Sequence, residues 1–137
     1  MHTNTTPTSA LYRSNVTISG QPNPAPAIIF LHGLGSDQTS WQYLAPAFED
    51  RYQVILLDLV GAGKSDVASY DYAKYGSLHA HAADLLAVLH ELDLEKVVFV
   101  GHSISSMIGM LAAIKEPARF ANLVLLAPSP RFANATG

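Results

Sequence analysis

The sequence contains no cysteine, which excludes disulfide bonds, zinc–thiolate sites and thiol nucleophiles. Charged residues make up only 14% of the 137 residues, and the net charge is -3. Neither a basic surface for nucleic acid nor an acidic tail is therefore present. No apolar run approaches the length of a membrane span, and the polar N-terminus lacks the apolar stretch of a signal peptide. These absences predict a cytoplasmic protein without nucleic-acid or membrane partners.

The hydrophobic fraction of 49% is enough for a packed core. We expect residues 1–10 to be a flexible lead-in and residues 11–137 to form one structural unit. Four short apolar runs predict strands that are buried on both faces of a sheet, at 27–31, 54–57, 97–100 and 123–126. A weak alternation predicts an outer strand within 11–19.

Helical patterns separate these runs. Residues 77–92 form the clearest amphipathic pattern, with a leucine stripe on one face and His81, Asp84 and Glu91 away from it. A short helix is predicted at 39–48, with Trp41, Leu44 and Phe48 on one side. A helix at 104–114 is apolar nearly all round and is expected to lie deep in the protein. Alternating strands and helices predict an α/β fold, a mostly parallel sheet with helices on both faces.

The segment that carries most chemical information is Gly101-His102-Ser103-Ile104-Ser105, directly after an apolar strand. A Gly-x-Ser sequence between a strand and a helix makes a sharp turn that exposes the serine Oγ at the end of the sheet. We interpret Ser103 as a nucleophile, with the Ile104 N–H as one oxyanion donor. The alternative is an ordinary serine N-cap, against which Gly101 argues. Ser105 stands where the usual pattern has glycine.

A second loop, His32-Gly33-Leu34-Gly35, follows an earlier strand, where the second oxyanion donor is expected. The Leu34 N–H is the candidate, and a plain glycine turn is the alternative.

Two other patterns are interpreted as structural. Gly61-Ala62-Gly63-Lys64-Ser65 looks like the end of a phosphate-binding loop, but Asp58 stands where that loop needs glycine, so a glycine turn is favoured. His79, His81 and His90 have no carboxylate at metal-ligand spacing and are interpreted as solvated surface residues. No metal and no cofactor are predicted.

With these motifs in place, the chain resembles the α/β-hydrolase superfamily. Three segments, 35–41, 58–66 and 101–109, are similar to one branch of it, and the resemblance runs from about Leu11 to the last residue. That branch holds the bacterial stress-response regulator RsbQ and the plant karrikin and strigolactone receptors. The resemblance implies a serine hydrolase of small apolar esters or lactones, or a ligand sensor that passes a signal to a protein partner.

The chain departs from this family in one respect. The family takes its catalytic acid and histidine from loops after later strands, in the order Ser, Asp, His. Here no histidine follows Ser103, and the only later carboxylate is Glu116. The resemblance thus implies the N-terminal part of a hydrolase, without the lid and the last strands. We expect little catalysis from this chain alone, and self-association through the open edge of strand 123–126. A ligand sensor and an inactive fragment are the alternatives.

Overall fold

The computed structural model describes residues 9–128. Residues 1–8 of the expected lead-in lie outside this range, whereas Ser9 and Ala10 are buried. The described part contains five strands: β1 (Thr17–Gly20), β2 (Ala27–Leu31), β3 (Gln53–Leu57), β4 (Val97–His102) and β5 (Phe120–Leu126). It contains three α-helices: α1 (Ala10–Arg13), α2 (Leu78–Glu91) and α3 (Ile104–Lys115).

The strands form one sheet in the order β1-β3-β2-β4-β5. All neighbouring strands are parallel except β1, which runs antiparallel to β3. In the register, Ile29 of β2 lies opposite Ile55 of β3 and Phe99 of β4. This is the predicted mostly parallel sheet. It places the carboxyl ends of β2, β3 and β4 at one edge, where ligands of open α/β sheets bind.

Side chains of the central strands alternate between two apolar cores, because successive residues of a strand point to opposite faces. On one face, Ile29, Ile55 and Phe99 pack with residues of α2 and α3. On the other face, Phe30 and Val54 pack with aromatic and small side chains of the segment that follows β2. Both faces of β2 are therefore buried, as its apolar run predicts.

The leucine stripe predicted for α2 is confirmed, but one residue of its predicted polar face is buried. Leu85, Leu86 and Leu89 are buried as predicted. Asp84, placed away from the core by the sequence pattern, is buried as well. It accepts a hydrogen bond of 2.6 Å from the Tyr75 hydroxyl, and the Arg13 guanidinium lies 3.3 Å away. A buried carboxylate needs such partners, since unpaired burial of charge is costly.

Two predicted elements are shorter than expected. The 39–48 helix is replaced by two 3₁₀ turns, Gln38–Trp41 and Ala45–Phe48. Pro46 has no N–H to donate to a continuing α-helix but is tolerated in a first turn. Leu44 is consequently 43% exposed, although Trp41 is buried as predicted.

The outer strand predicted within 11–19 is limited to β1, because its first residues form α1. The Ser9 hydroxyl caps α1 by accepting from the Leu11 N–H. Glu91 of α2 accepts from the Ser9 hydroxyl and from the Ala10 N–H. These contacts come from a distant part of the chain and have no local sequence signal.

Helix α3 lies less deep than expected. Ile108 and Ala112 are fully buried, but Ile114 is 78% exposed. Within the described residues, α3 packs against α2, β4, β5 and the turn Pro117–Arg119, and these contacts do not cover Ile114. Its remaining apolar surface therefore faces outward.

Candidate active site

Ser103 lies between the last residue of β4 and the first residue of α3. Its backbone has φ 59° and ψ -121°, a left-handed conformation that non-glycine residues rarely adopt. The Ser103 N–H donates to the Leu126 carbonyl of β5 at 2.8 Å, which fixes the turn to the sheet. The strained strand-to-helix turn predicted from Gly101-x-Ser103 is thus present. Such strain persists only where surrounding contacts hold it.

Gly101 is needed because strand and helix approach each other closely. A Cβ at this position would lie 2.7 Å from the backbone oxygen of Ser105 and 2.6 Å from the Phe99 ring. The contact with a backbone oxygen cannot be relieved by a rotamer change. Any side chain at residue 101 would therefore push α3 away from β4.

The His32-Gly33-Leu34 loop lies directly beside the turn. A Cβ on Gly33 would stand 3.4 Å from the Ser103 Cβ and 2.7 Å from Nδ1 of His102. The two motifs are far apart in sequence, but β2 and β4 are neighbours in the sheet, so their carboxyl ends meet.

Ser105 connects these two loops, a role that the sequence reasoning missed. Its fully buried hydroxyl donates a 2.5 Å hydrogen bond to the His32 carbonyl, across 73 residues of sequence. The departure from glycine at this position was visible in the sequence. The partner was not, because it depends on how the strands are ordered.

The two candidate oxyanion donors are available. In the described part of the chain, neither the Leu34 N–H nor the Ile104 N–H donates to a protein acceptor. Ile104 is the first residue of α3, where an unpaired N–H and the positive end of the helix dipole coincide. Both features favour negative charge that develops next to Ser103.

All histidines among residues 9–128 precede Ser103 in the sequence, and the one in the neighbouring Leu34 loop, His32, is not free to act as its base. His32 is 1% exposed and uses both ring nitrogens, since Nε2 accepts from the Leu59 N–H at 3.0 Å and Nδ1 lies 2.7 Å from the Gly33 carbonyl. This pairing requires the tautomer with the proton on Nδ1. His32 is consequently a structural histidine.

The only carboxylate after Ser103 is also engaged elsewhere. Glu116 follows α3, roughly 20 Å along the helix axis from Ser103 at 1.5 Å per residue. Nε2 of His90 lies 2.8 Å from one of its oxygens, and this hydrogen bond, with a second from Arg119, holds the pKa of Glu116 below its usual range. Glu116 therefore joins the ends of α2 and α3.

Asp58 organises the glycine-rich turn after β3. Its carboxylate accepts from the backbone N–H groups of Gln38 and Lys64, at 2.8 and 2.9 Å, and from the Asn15 side chain at 2.9 Å. A Cβ on Gly63 would lie 2.5 Å from the same carboxylate. The turn is therefore folded around the Asp58 carboxylate, whose negative charge would repel a bound phosphate group. This supports the interpretation of the segment as a structural glycine turn.

A cleft of about 800 Å³ opens beside the Leu34 loop. Its walls are formed by His32 with residues 34–37, by residues 59–63, and by Val67, Tyr70, Tyr72 and His81. Ser103 does not line this cleft. Leu34 links the two features, because it contributes to the cleft while its N–H is an oxyanion candidate.

The cleft corrects the interpretation of His81 as a solvated surface residue. The His81 side chain is half-buried, and its ring centroid lies 4.8 Å from that of Tyr75. Its Nδ1 is buried without a hydrogen-bond partner in the described residues. Burial lowers the pKa of His81, against the opposing effect of Asp84.

No group of three or more His, Asp or Glu side chains suited to a metal ion occurs within residues 9–128. The same part of the chain has no helix with the length and apolar character needed to cross a bilayer.

Residues 26–136 match the α/β hydrolase fold family. The chain belongs to this family. Among its curated relatives, the strigolactone esterase RMS3 of Pisum sativum is 43% identical over 120 residues, which cover 88% of this chain and 44% of the relative. The karrikin insensitive 2 receptor IA of Petunia hybrida is 43% identical over 108 residues, covering 79% of this chain and 39% of the relative. The receptor-like branch expected from the motifs is confirmed.

A solved hydrolase from Oleispira antarctica is 34% identical and superposes with a TM-score of 0.85, covering 93% of this chain and 46% of that one. The expected partial α/β-hydrolase fold is confirmed by this likeness. The chain spans less than half the length of these relatives.

Proposed function

We propose that Ser103 is the nucleophile of a serine hydrolase that acts on small apolar esters or lactones. In this proposal the N–H groups of Leu34 and Ile104 bind the oxyanion. The observation that carries it is the strained backbone of Ser103 with the Gly33 loop packed beside it. An ordinary helix N-cap has no need of a left-handed backbone.

The chemistry is acyl transfer. The Ser103 Oγ attacks the substrate carbonyl carbon, the carbonyl oxygen becomes an oxyanion, and the C–O bond to the leaving alcohol breaks as that alcohol gains a proton. Water then hydrolyses the ester formed on Ser103. The proton of Ser103 must pass through a base for this to be fast. The histidine next to Ser103 is His102, which precedes it at the end of β4 and lies against Gly33. The described residues contain no histidine from a later loop, where the family takes its base, so we propose that the chain alone is a very poor catalyst.

The test combines a reactive probe with a kinetic assay. A fluorophosphonate probe at high concentration should label the purified chain slowly at Ser103, because no base activates its hydroxyl, and Ser103→Ala should remove that label. Ser77→Ala is the matched control, because Ser77 is exposed and its hydroxyl makes no capping bond. An adduct that maps to another residue contradicts the nucleophile assignment.

In the kinetic assay, p-nitrophenyl acetate should be turned over slowly. Oxyanion donors alone leave acceleration on the order of 10³–10⁴ over water in an intact enzyme, which sets the upper limit here. Robust turnover that Ser103→Ala abolishes would show that a base is present which the described residues do not reveal.

A ligand sensor is the second candidate, favoured by the receptor among the relatives. Such a protein binds a small molecule and signals to a protein partner. A rise in melting temperature with ligand, without labelling of Ser103, supports this candidate. Absence of both responses supports an inactive fragment. A cytoplasmic location remains a prediction from the sequence.

A further inference from the structure

Strand β5 lies at the edge of the sheet and leaves one side of its backbone open. The Leu126 carbonyl points toward β4, where it accepts from the Ser103 N–H at 2.8 Å. Because the backbone groups of successive strand residues point in opposite directions, those of Leu123 and Leu125 point away from β4. Among residues 9–128, no strand pairs with them. Their N–H and carbonyl groups form a pattern that an added strand would satisfy.

The side chains along this edge are apolar and uncharged. β5 contains no charged residue between Phe120 and Leu126. Val124 and Leu126 lie on the same face of the sheet as Val100, and they are 42% and 39% exposed. An apolar open edge favours pairing with another apolar strand, and pairing of β5 with itself brings no like charges together.

The opposite edge of the sheet, β1, is a poor partner for β5. It has four residues and ends at Gly20, which has φ 77°. Thr17 and Ser19 are polar, and the apolar residue of β1, Ile18, is buried. Short, polar edge strands are among the features by which proteins avoid edge-to-edge pairing. Pairing of β5 with β1 would also leave a free edge at each end and build an open filament.

The backbone of β5 restricts the register of a pair between two β5 strands. Near the start of the strand the register with β4 shifts, so that Ala121 has no partner in β4. Such a bulge increases the local twist and interrupts pairing. After the strand, Ala127 has φ 51°, which turns the chain away from extended geometry. Regular strand geometry is therefore left for residues 122–126, and Val124 is the central residue of this stretch.

We propose that two copies of this chain form a closed dimer by antiparallel pairing of their β5 strands around Val124. A two-fold axis perpendicular to the sheet places Val124 opposite Val124 of the second copy, and Asn122 opposite Leu126. Leu123 and Leu125 then form hydrogen-bonded pairs that use the open N–H and carbonyl groups. Both β5 edges are paired in this arrangement, so the assembly closes at two copies. The dimer does not depend on the proposed hydrolase function.

Introduced cysteines test this register, because the chain has no cysteine of its own. Directly opposite residues of a non-hydrogen-bonded antiparallel pair have Cα atoms about 4.5 Å apart, within reach of a disulfide bond. Val124→Cys should therefore give a disulfide-linked dimer with oxidised glutathione, seen on a non-reducing gel. Asn122→Cys and Leu126→Cys, at exposed positions on the same strand, are the matched controls. Each should stay uncross-linked alone, whereas a mixture of the two should cross-link.

Analytical ultracentrifugation of the unchanged chain gives the stoichiometry. The mass should rise with concentration and level off at twice the mass of one chain. A chain that stays monomeric at its highest soluble concentration, or a mass that continues beyond the dimer, would overturn the proposal.

Two cross-linking outcomes would also overturn it. Asn122→Cys that cross-links with itself would show a different register, and Val124→Cys that cross-links with Thr17→Cys in preference to itself would show pairing of β5 with β1. The mixture of Asn122→Cys and Leu126→Cys leaves Val124 unchanged, so it tests the same register even if Val124→Cys fails to fold.

Discussion

The backbone conformation of Ser103 could be predicted from the sequence. The hydrogen bond that Ser105 makes, two residues further on, could not. The strained turn at Ser103 follows from its neighbours, because Gly101 between an apolar strand and an apolar helix permits little else. The bond from Ser105 to the His32 carbonyl depends on β2 and β4 being adjacent. Local patterns do not encode that adjacency.

Ser105→Ala should destabilise the protein by about 1–3 kcal/mol, since it leaves the buried His32 carbonyl without this donor. Urea unfolding followed by circular dichroism measures the change. Ser77→Ala, with an exposed hydroxyl that makes no capping bond, should change stability by less than about 0.5 kcal/mol. Equal stability of the two variants would show that the Ser105 hydroxyl contributes little.

Tyr75→Phe should cost about 1–3 kcal/mol near pH 7, because Asp84 loses a 2.6 Å hydrogen bond. Burial, and then the bond to Asp84, raise the pKa of Tyr75 above its ordinary value of 10.0. The folded state therefore favours the protonated phenol. Its stabilising contribution is fully present below pH 10 and is lost as the pH rises above it.

The stability difference between the unchanged protein and Tyr75→Phe should consequently shrink from about pH 8 to about pH 11. Urea unfolding at both pH values gives this difference, and other titrating groups contribute equally to the two proteins. A difference that stays constant over this range would contradict the assigned pKa shift.

At the scale of elements, α2 shows what periodicity can and cannot predict. The spacing of its leucines identified the buried face, because burial of a helix follows the 3.6-residue repeat. Burial of Asp84 was missed, since its partners Arg13 and Tyr75 lie outside the helix. Charged residues are expected outside a core unless a partner is known.

Leu86→Ala should cost roughly 2–5 kcal/mol, the range for emptying a buried leucine site, because Leu86 is 3% exposed against the sheet-facing core. Thermal or urea unfolding provides the measurement. His79→Ala, an exposed position on the same helix, should lie within about 0.5 kcal/mol of the unchanged protein. An unaltered melting curve for Leu86→Ala would contradict the packing of α2.

For the whole molecule, the apolar runs were sufficient to predict the sheet and its parallel strands. The prediction that run 123–126 is buried on both faces was wrong, because β5 is an edge strand with Val124 and Leu126 exposed. Loop geometry was not predictable to the same degree, since it depends on contacts such as those of Asp58 with the distant Gln38 N–H and Asn15 side chain. The cleft shows the same limit. Tyr70, His81 and Leu34 line it together, and no local sequence pattern indicates that they do.

The outer edge of β5 leads to the last prediction. Within residues 9–128, β5 pairs only with β4, and Val124 and Leu126 are 42% and 39% exposed. An apolar strand with unpaired N–H and carbonyl groups pairs readily with another chain. The isolated chain should therefore self-associate, with a mass by light scattering that rises with concentration.

Val124→Lys should reduce this self-association, because a charged side chain on an edge strand opposes pairing. Tyr43→Lys adds the same charge at an exposed site away from β5 and should leave association unchanged. A stable monomer at high concentration, or equal effects of the two lysines, would show that this edge does not drive association.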